Sequence, residues 1–281
     1  MTDWILQNDT TIRLGVFLGV LALMVIWELI AARRELYHPR FGRWLANLGI
    51  SVVDSLVARL VFPAAAVGVA LIVETRGWGL LNYFEVPYLL TIVLSLVLLD
   101  LAIYLQHVMF HAVPALWRLH MVHHTDQDLD ATSGIRFHPI EIVLSLLIKF
   151  AIIAALGVPP VAVLMFEVVL NATSIFNHAN VRLPLPLDRL LRLVLVTPDM
   201  HRVHHSVEID ESNSNFGFNL PWWDRLFGTY RAQPKLGHEG MVLGIEHVQQ
   251  EKPIGLLGLL GLPMTKGTGR YPIGRRDSAD S

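Results

Sequence analysis

The chain has 281 residues, of which 53% are hydrophobic and 16% charged, and a formal net charge of -2. Soluble domains carry about 25% charged residues, so the deficit points to a membrane protein, and the near-neutral balance gives no reason to expect a nucleic-acid partner. There are no cysteines, which excludes disulfides, thiolate zinc sites, iron–sulfur clusters and c-type haem attachment.

In chain order, Ile12 to Ala32 is a near-continuous apolar run, and about 20 such residues cross a bilayer core. It lacks the basic leader and small-residue cleavage site of a signal peptide. Arg33, Arg34, Arg40 and Arg43 follow; this basic cluster is expected on the cytoplasmic side, which puts the N-terminus outside. A second apolar stretch runs from about Leu48 to Val73, interrupted by Asp54 and Arg59, and a third from Pro87 to Leu105 with Asp100 inside it. The loop between them holds one arginine, so it is expected outside, and the third span returns to the cytoplasm at His107.

Pro139 suits the first position of a helix. Two apolar segments follow, split by Gly157-Val158-Pro159-Pro160, and they predict a tight hairpin that delivers Asn177 and His178 to the side it left. Pro253 to Met264 is apolar but too short to span, and is expected on the membrane surface. The tail from about Thr265 is polar and expected to be disordered. The predicted fold is all-α: a polytopic membrane helix bundle with a histidine-rich helical cap on the cytosolic side.

Every histidine cluster falls on that one side. His107 and His111 form H-x-x-x-H; His120, His123 and His124 form H-x-x-H-H; His201, His204 and His205 repeat it. At about 100° per residue each motif aims its imidazoles in one direction. Pro114 separates the first two motifs, so they are expected on separate, converging helices. A dense set of imidazoles repels itself when protonated, and a metal that takes the lone pairs of neutral rings removes the conflict; imidazole suits Zn, Cu, Fe and Ni. With His178 there are nine candidate nitrogens. A zinc uses about four ligands, so nine point to two ions with open positions. His138 precedes Pro139, so its backbone is extended; it is read as a ligand, a donor to a ligand, or a helix-entry residue. His38, His238 and His247 stand alone and are read as surface residues.

These motifs, with "RLHMVHHTDQDLDATSGIRFHPIE" and "TPDMHRVHHSVEIDESNSNFGFNLPWWDRLFGTY" around them, resemble the fatty acid hydroxylase / sterol desaturase superfamily, and bacterial members in particular. The similarity covers roughly residues 90–235. It implies an integral-membrane, non-haem di-iron oxygenase, in the bacterial inner membrane with its site facing the cytoplasm. Such an enzyme uses O2 to hydroxylate or desaturate a lipid. Electrons would come from an external reductase with a cytochrome b5-like or ferredoxin-like carrier. The match gives ligand roles to His107, His111, His120, His123, His124, His201, His204 and His205. Some members carry a further H-x-x-x-H, but Ser174 stands four residues before His178, so that pair is absent here and His138 or a water is left to complete the second metal.

Three regions are then expected: N-terminal transmembrane helices at 1–89, a catalytic domain with the hairpin at 90–235, and a peripheral segment and tail at 236–281. Asp126 and Asp199 have two readings, as caps or solvated loop residues, or as acceptors for the distal N–H of a ligand histidine; Asp199 lies two residues from His201. Glu141 and Glu167 are read as lining a cavity or pairing with Lys149 or Arg136. The aromatic run from Asn215 to Arg231 reads as an interfacial belt, or as a lid over a lipid entrance. A rival class is a membrane metal-handling or transport protein, but transporters hold their ligands near the bilayer midplane and these clusters lie at helix ends. A zinc-dependent membrane hydrolase is the other rival; no H-E-x-x-H is present.

Overall fold

The computed structural model describes residues 2–265 and 267–273. Among them there are helices and two isolated bridges, Ala32 with Val181 and Ser206 with Leu243, but no strand. Five segments are long and apolar enough to cross a membrane: Asp9–Ile30, Arg40–Tyr83, Tyr88–Ala112, Pro139–Leu156 and Pro160–His178. The protein is a polytopic helical membrane protein.

The helices that position the site are α1 (Asp9–Ile30), α2 (Arg40–Val61), α3 (Ala65–Arg76), α4 (Tyr88–Ala112), α5 (Pro114–His124), α6 (Pro139–Leu156), α7 (Pro160–His178), α8 (Leu185–Leu191), α9 (Pro198–His204) and α10 (Leu256–Thr265). The second apolar stretch is not one helix. Phe62 and Pro63 break it between α2 and α3, because a proline in a helix interior loses a backbone donor and clashes with the preceding turn. α3 packs beside α6 and α7 in a cluster of Ala66, Ala70, Leu99, Ile153 and Val163. Leucines and valines elsewhere on the spans face outward, as a lipid solvent allows.

The predicted hairpin forms between α6 and α7. Gly157 closes α6 in the left-handed conformation at φ 77°, the usual place for glycine at a helix end. Gly79 lies directly against it: a Cβ on Gly79 would come 2.0 Å from the Gly157 nitrogen, and one on Gly157 2.6 Å from the Trp78 carbonyl oxygen. The two backbones meet there without side chains.

At the other end of the bundle the chain's polar connections meet. Glu28, near the end of α1, accepts from the backbone N–H of Ala131 at 2.7 Å and of Asn180 at 2.8 Å. Arg43, in the first turn of α2, is buried and donates to Asp126 at 2.8 Å and to Asp130 at 2.6 Å. Arg33 donates to Asp199 at 3.2 Å and to Glu239 at 3.0 Å. The basic residues that read as orientation charges therefore brace the cap.

The C-terminal segment is part of this packing. Leu259 and Leu262 of α10 are buried with Ala46, Ile50, Trp117 and Met121, while Leu257 and Met264 face out. The polar tail keeps the same contact: Tyr271 stacks on Trp117, with ring centres 5.4 Å apart, and Thr268 accepts the Trp117 indole N–H through its carbonyl. Expected disorder from Thr265 is thus not found over 267–273, and residues 274–281 lie outside the described residues.

Candidate metal centre

Nine imidazoles converge where α4, α5, α7 and α9 meet. His107 and His111 sit one turn apart at the end of α4, His120, His123 and His124 on α5, and His178 at the end of α7; α9 carries His201 and His204, and His205 follows it. They form two groups, His107, His111, His120, His124 and His204 in one, and His123, His178, His201 and His205 in the other, each with its ligand atoms within 4.8 Å of one another. None of the nine is more than 4% exposed.

Six of the nine outward nitrogens are tied down by oxygen, while Nδ1 of His124, His201 and His205 is buried without a partner. Nδ1 of His107 lies 2.8 Å from the Phe216 carbonyl, that of His120 2.7 Å from Glu141, that of His178 2.7 Å from the Ser174 carbonyl, and that of His204 2.8 Å from the Ser214 carbonyl. His123 and His111 are held at 3.1 Å by the Arg136 carbonyl and the Asn213 side-chain oxygen. A carbonyl or carboxylate oxygen only accepts, so each of these rings carries its proton on Nδ1 and turns a bare Nε2 inward.

That has a physical consequence. The inward nitrogens of His107 and His120 are 3.1 Å apart, and those of His123 and His178 3.0 Å apart. In each pair both hydrogens are committed outward, so lone pair faces lone pair. Nε2 of His204 is buried with no partner at all. Such contacts cost energy unless a cation lies between them. The spacing suits one. Imidazole bonds of about 2.0–2.1 Å put neighbouring nitrogens about 2.9 Å apart at right angles and about 3.3 Å apart at the tetrahedral angle. The His111–His124, His178–His201 and His201–His205 contacts, at 3.1, 3.1 and 3.2 Å, lie in this interval too. The residues fit two metal ions.

Protonation is opposed throughout. Burial pushes His120 down to about 3, and burial followed by the charge of neighbouring rings holds His123, His124, His201, His204 and His205 well below the ordinary imidazole range. Neutral imidazole is the form that binds metal.

A model of the fatty acid hydroxylase family matches residues 92–229, a stretch that contains all nine histidines. That stretch belongs to the fatty acid hydroxylase family. Several relatives in this family cover much of the chain. An ornithine lipid hydroxylase, OlsE, of Rhizobium tropici is 28% identical over 78% of this chain and 67% of its own length. A cholesterol 25-hydroxylase of Rattus norvegicus is 29% identical over 76% of this chain and 71% of its own. Human alkylglycerol monooxygenase is 30% identical over 53% of this chain and 31% of its own. No solved structure matches the chain. Its similarity to these hydroxylases and this monooxygenase indicates an oxidoreductase.

Other candidate residues of the chain take different places. His138 stands outside both groups: its Nδ1 accepts from the backbone of Ile140, which caps α6, and its Nε2 faces the Leu260 carbonyl at 3.3 Å. Asp126 and Asp199 touch none of the nine rings. Burial alone would raise the Asp126 carboxyl, but the charges of Arg43 and Arg136 hold it below its ordinary range. Asp199 is bound by Arg33 and Arg202. The carboxylate on a ring is Glu141, and Glu167 takes Lys149 and Arg13 instead. The aromatic run divides: Phe216 and Phe218 are buried beside His107, each 5.5 Å from it, while Trp222 and Phe227 face out.

Proposed function

We propose that the chain is a membrane-bound di-iron hydroxylase of a lipid, with the histidine end facing the cytoplasm. The observation that carries this is the pair of buried, all-imidazole groups whose lone pairs face one another. A group of five exceeds the tetrahedral set that zinc prefers, and imidazole suits iron. The names of the relatives support a lipid substrate and insertion of oxygen over desaturation.

His107, His111, His120, His124 and His204 would hold one iron, and His123, His178, His201 and His205 the other. Bound there, two irons would supply the activation of O2 that an unactivated C–H bond requires. The chain's own part is positional. Glu141, Asn213 and the carbonyls of Arg136, Ser174, Ser214 and Phe216 fix the rings. Phe216 and Phe218 help to exclude water. In the net reaction one oxygen atom enters the C–H bond, and the other leaves as water with two protons and two electrons. The electrons come from a separate carrier, because the chain carries no G-x-G-x-x-G fingerprint of a nucleotide cofactor.

Iron analysis of the purified protein tests the assignment. About two irons per chain are expected, falling with activity in His123→Ala and His204→Ala; a single exchangeable zinc would sink it. Lipid mass spectrometry of a deletion strain should then show loss of a species heavier by one oxygen.

A further inference from the structure

A second feature of the cap shares no residue with the nine histidines or their partners. Beside α8 lies a cavity of about 520 Å³ lined in part by Asp188, Arg189, Arg192, Arg225 and Tyr230. It holds three guanidinium groups against one carboxylate. Asp188 is fully used: Oδ2 meets Arg192 Nε at 2.7 Å and Oδ1 accepts from the Thr197 hydroxyl at 2.6 Å. Arg225 lies over the Tyr230 ring at 4.5 Å and donates to backbone carbonyls only. Arg189 is exposed and has no ion-pair partner among the described residues. The Arg192 side chain is 5% exposed. Its Nη1 donates to the Ala232 carbonyl, but its Nη2 is buried with no partner. Arg192 lines the cavity, and an unpartnered guanidinium N–H in such a basic wall is a donor that an oxygen anion would satisfy.

The surface around the cavity is greasy although it belongs to no spanning helix. Leu190, Leu193, Val194, Leu226 and Phe227 are exposed, and a patch of this kind on the cap marks contact with another apolar phase. The cavity is on the histidine side of the bundle, because Thr197, which holds Asp188, caps the helix of His201 and His204. An apolar rim with a basic pocket set into it, at the end of a transmembrane bundle, matches the amphiphilic order of a lipid: chains against leucine, anionic group against arginine.

We propose that this pocket binds the phosphate of an anionic membrane lipid, which anchors the cap to the bilayer surface. The site does not depend on the metal, so its failure and the failure of the oxygenase reading are separable.

The test uses purified full-length protein in detergent, titrated with phosphatidylglycerol or with diacylglycerol of the same acyl chains, which lacks the phosphate, and read by native mass spectrometry. Phosphatidylglycerol should be retained about tenfold more tightly. Arg189→Glu and Arg225→Gln, both at exposed positions, should remove most of that preference, and Arg192→Gln the rest. Equal retention of the two lipids by the unaltered protein would overturn the proposal, as would a preference unchanged in Arg189→Glu. A third arm adds inorganic phosphate. If phosphate displaces the lipid at matched concentration, the pocket takes free phosphate and the lipid assignment falls; if it does not, the apolar rim contributes as proposed.

Discussion

Glu141 and His138 lie three residues apart at the start of α6 and do different work. Glu141 accepts from the His120 ring, whereas His138 closes the helix end. Removing an acceptor behind a ligand histidine lowers metal affinity about 10–100-fold. Glu141→Leu should therefore lose iron to a chelator at concentrations that leave the unaltered protein loaded, and Glu141→Gln, which keeps an acceptor oxygen, should lose less. His138→Ala should leave iron content unchanged and cost about 1 kcal/mol as a lost cap, read as a lowered thermal midpoint. The buried rings also set a pH dependence. Their imidazoles titrate lower in the folded chain than the unperturbed value of about 6.5, and His120 lies at about 3. Below the unfolded value the unfolded state binds more protons, so their contribution is complete above about pH 6.5 and is lost as pH falls. Thermal unfolding of metal-free protein should show a midpoint that drops from pH 7 to pH 5; a flat profile would contradict it.

At the scale of elements, the four-histidine group depends on a contact between α7 and the short turn Ala131–Ile135. A Cβ on Gly134 would lie 2.5 Å from the Ser174 carbonyl oxygen, the atom that holds the His178 ring. Gly134→Ala should thus reduce iron at that group, to about one per chain, without changing any ligand; spectroscopy of the remaining iron would reveal which group is affected. The Ser174 hydroxyl donates to the Gly134 carbonyl at 2.7 Å, so the residue that stands in place of a further histidine braces this contact. Here the limits of the sequence are physical. The H-x-x-H-H spacing is legible because helical period turns it into geometry. Four of the six acceptors behind the rings are backbone carbonyls, which carry no residue identity. Glu141 was visible only as a charge in an apolar run, with several possible partners. The break at Pro63 was masked by the continuous hydropathy on both sides of it.

Across the whole molecule, α1, α4 and α7 end at the histidines, and α2 and α6 begin there. This alternation follows from counting apolar runs and arginines, which is why the layout was legible. The role of the arginines was not: Arg43 counts as a positive charge in the sequence, yet it is buried between two aspartates. The chain contains no cysteine, so single cysteines report topology without background. Glu208→Cys, on the exposed cap, should react with a membrane-impermeant thiol reagent from the cytoplasmic side only, and Glu74→Cys, at the far end of α3, from the opposite side only. Labelling of both from one side would refute the arrangement.

Each histidine group draws on chain both before and after the Gly157 hairpin: His124 with His204, and His123 with His201. Neither group is complete until the ribosome has delivered its last member, His204 in one and His205 in the other. On the proposed two-iron reading, metal uptake is therefore a late event in biogenesis, after both arms of the hairpin have entered the bilayer. Once captured, the ions crosslink early and late parts of the polypeptide, so iron starvation should leave an inserted but loosely closed precursor that proteases clip near Pro114 or Ser206.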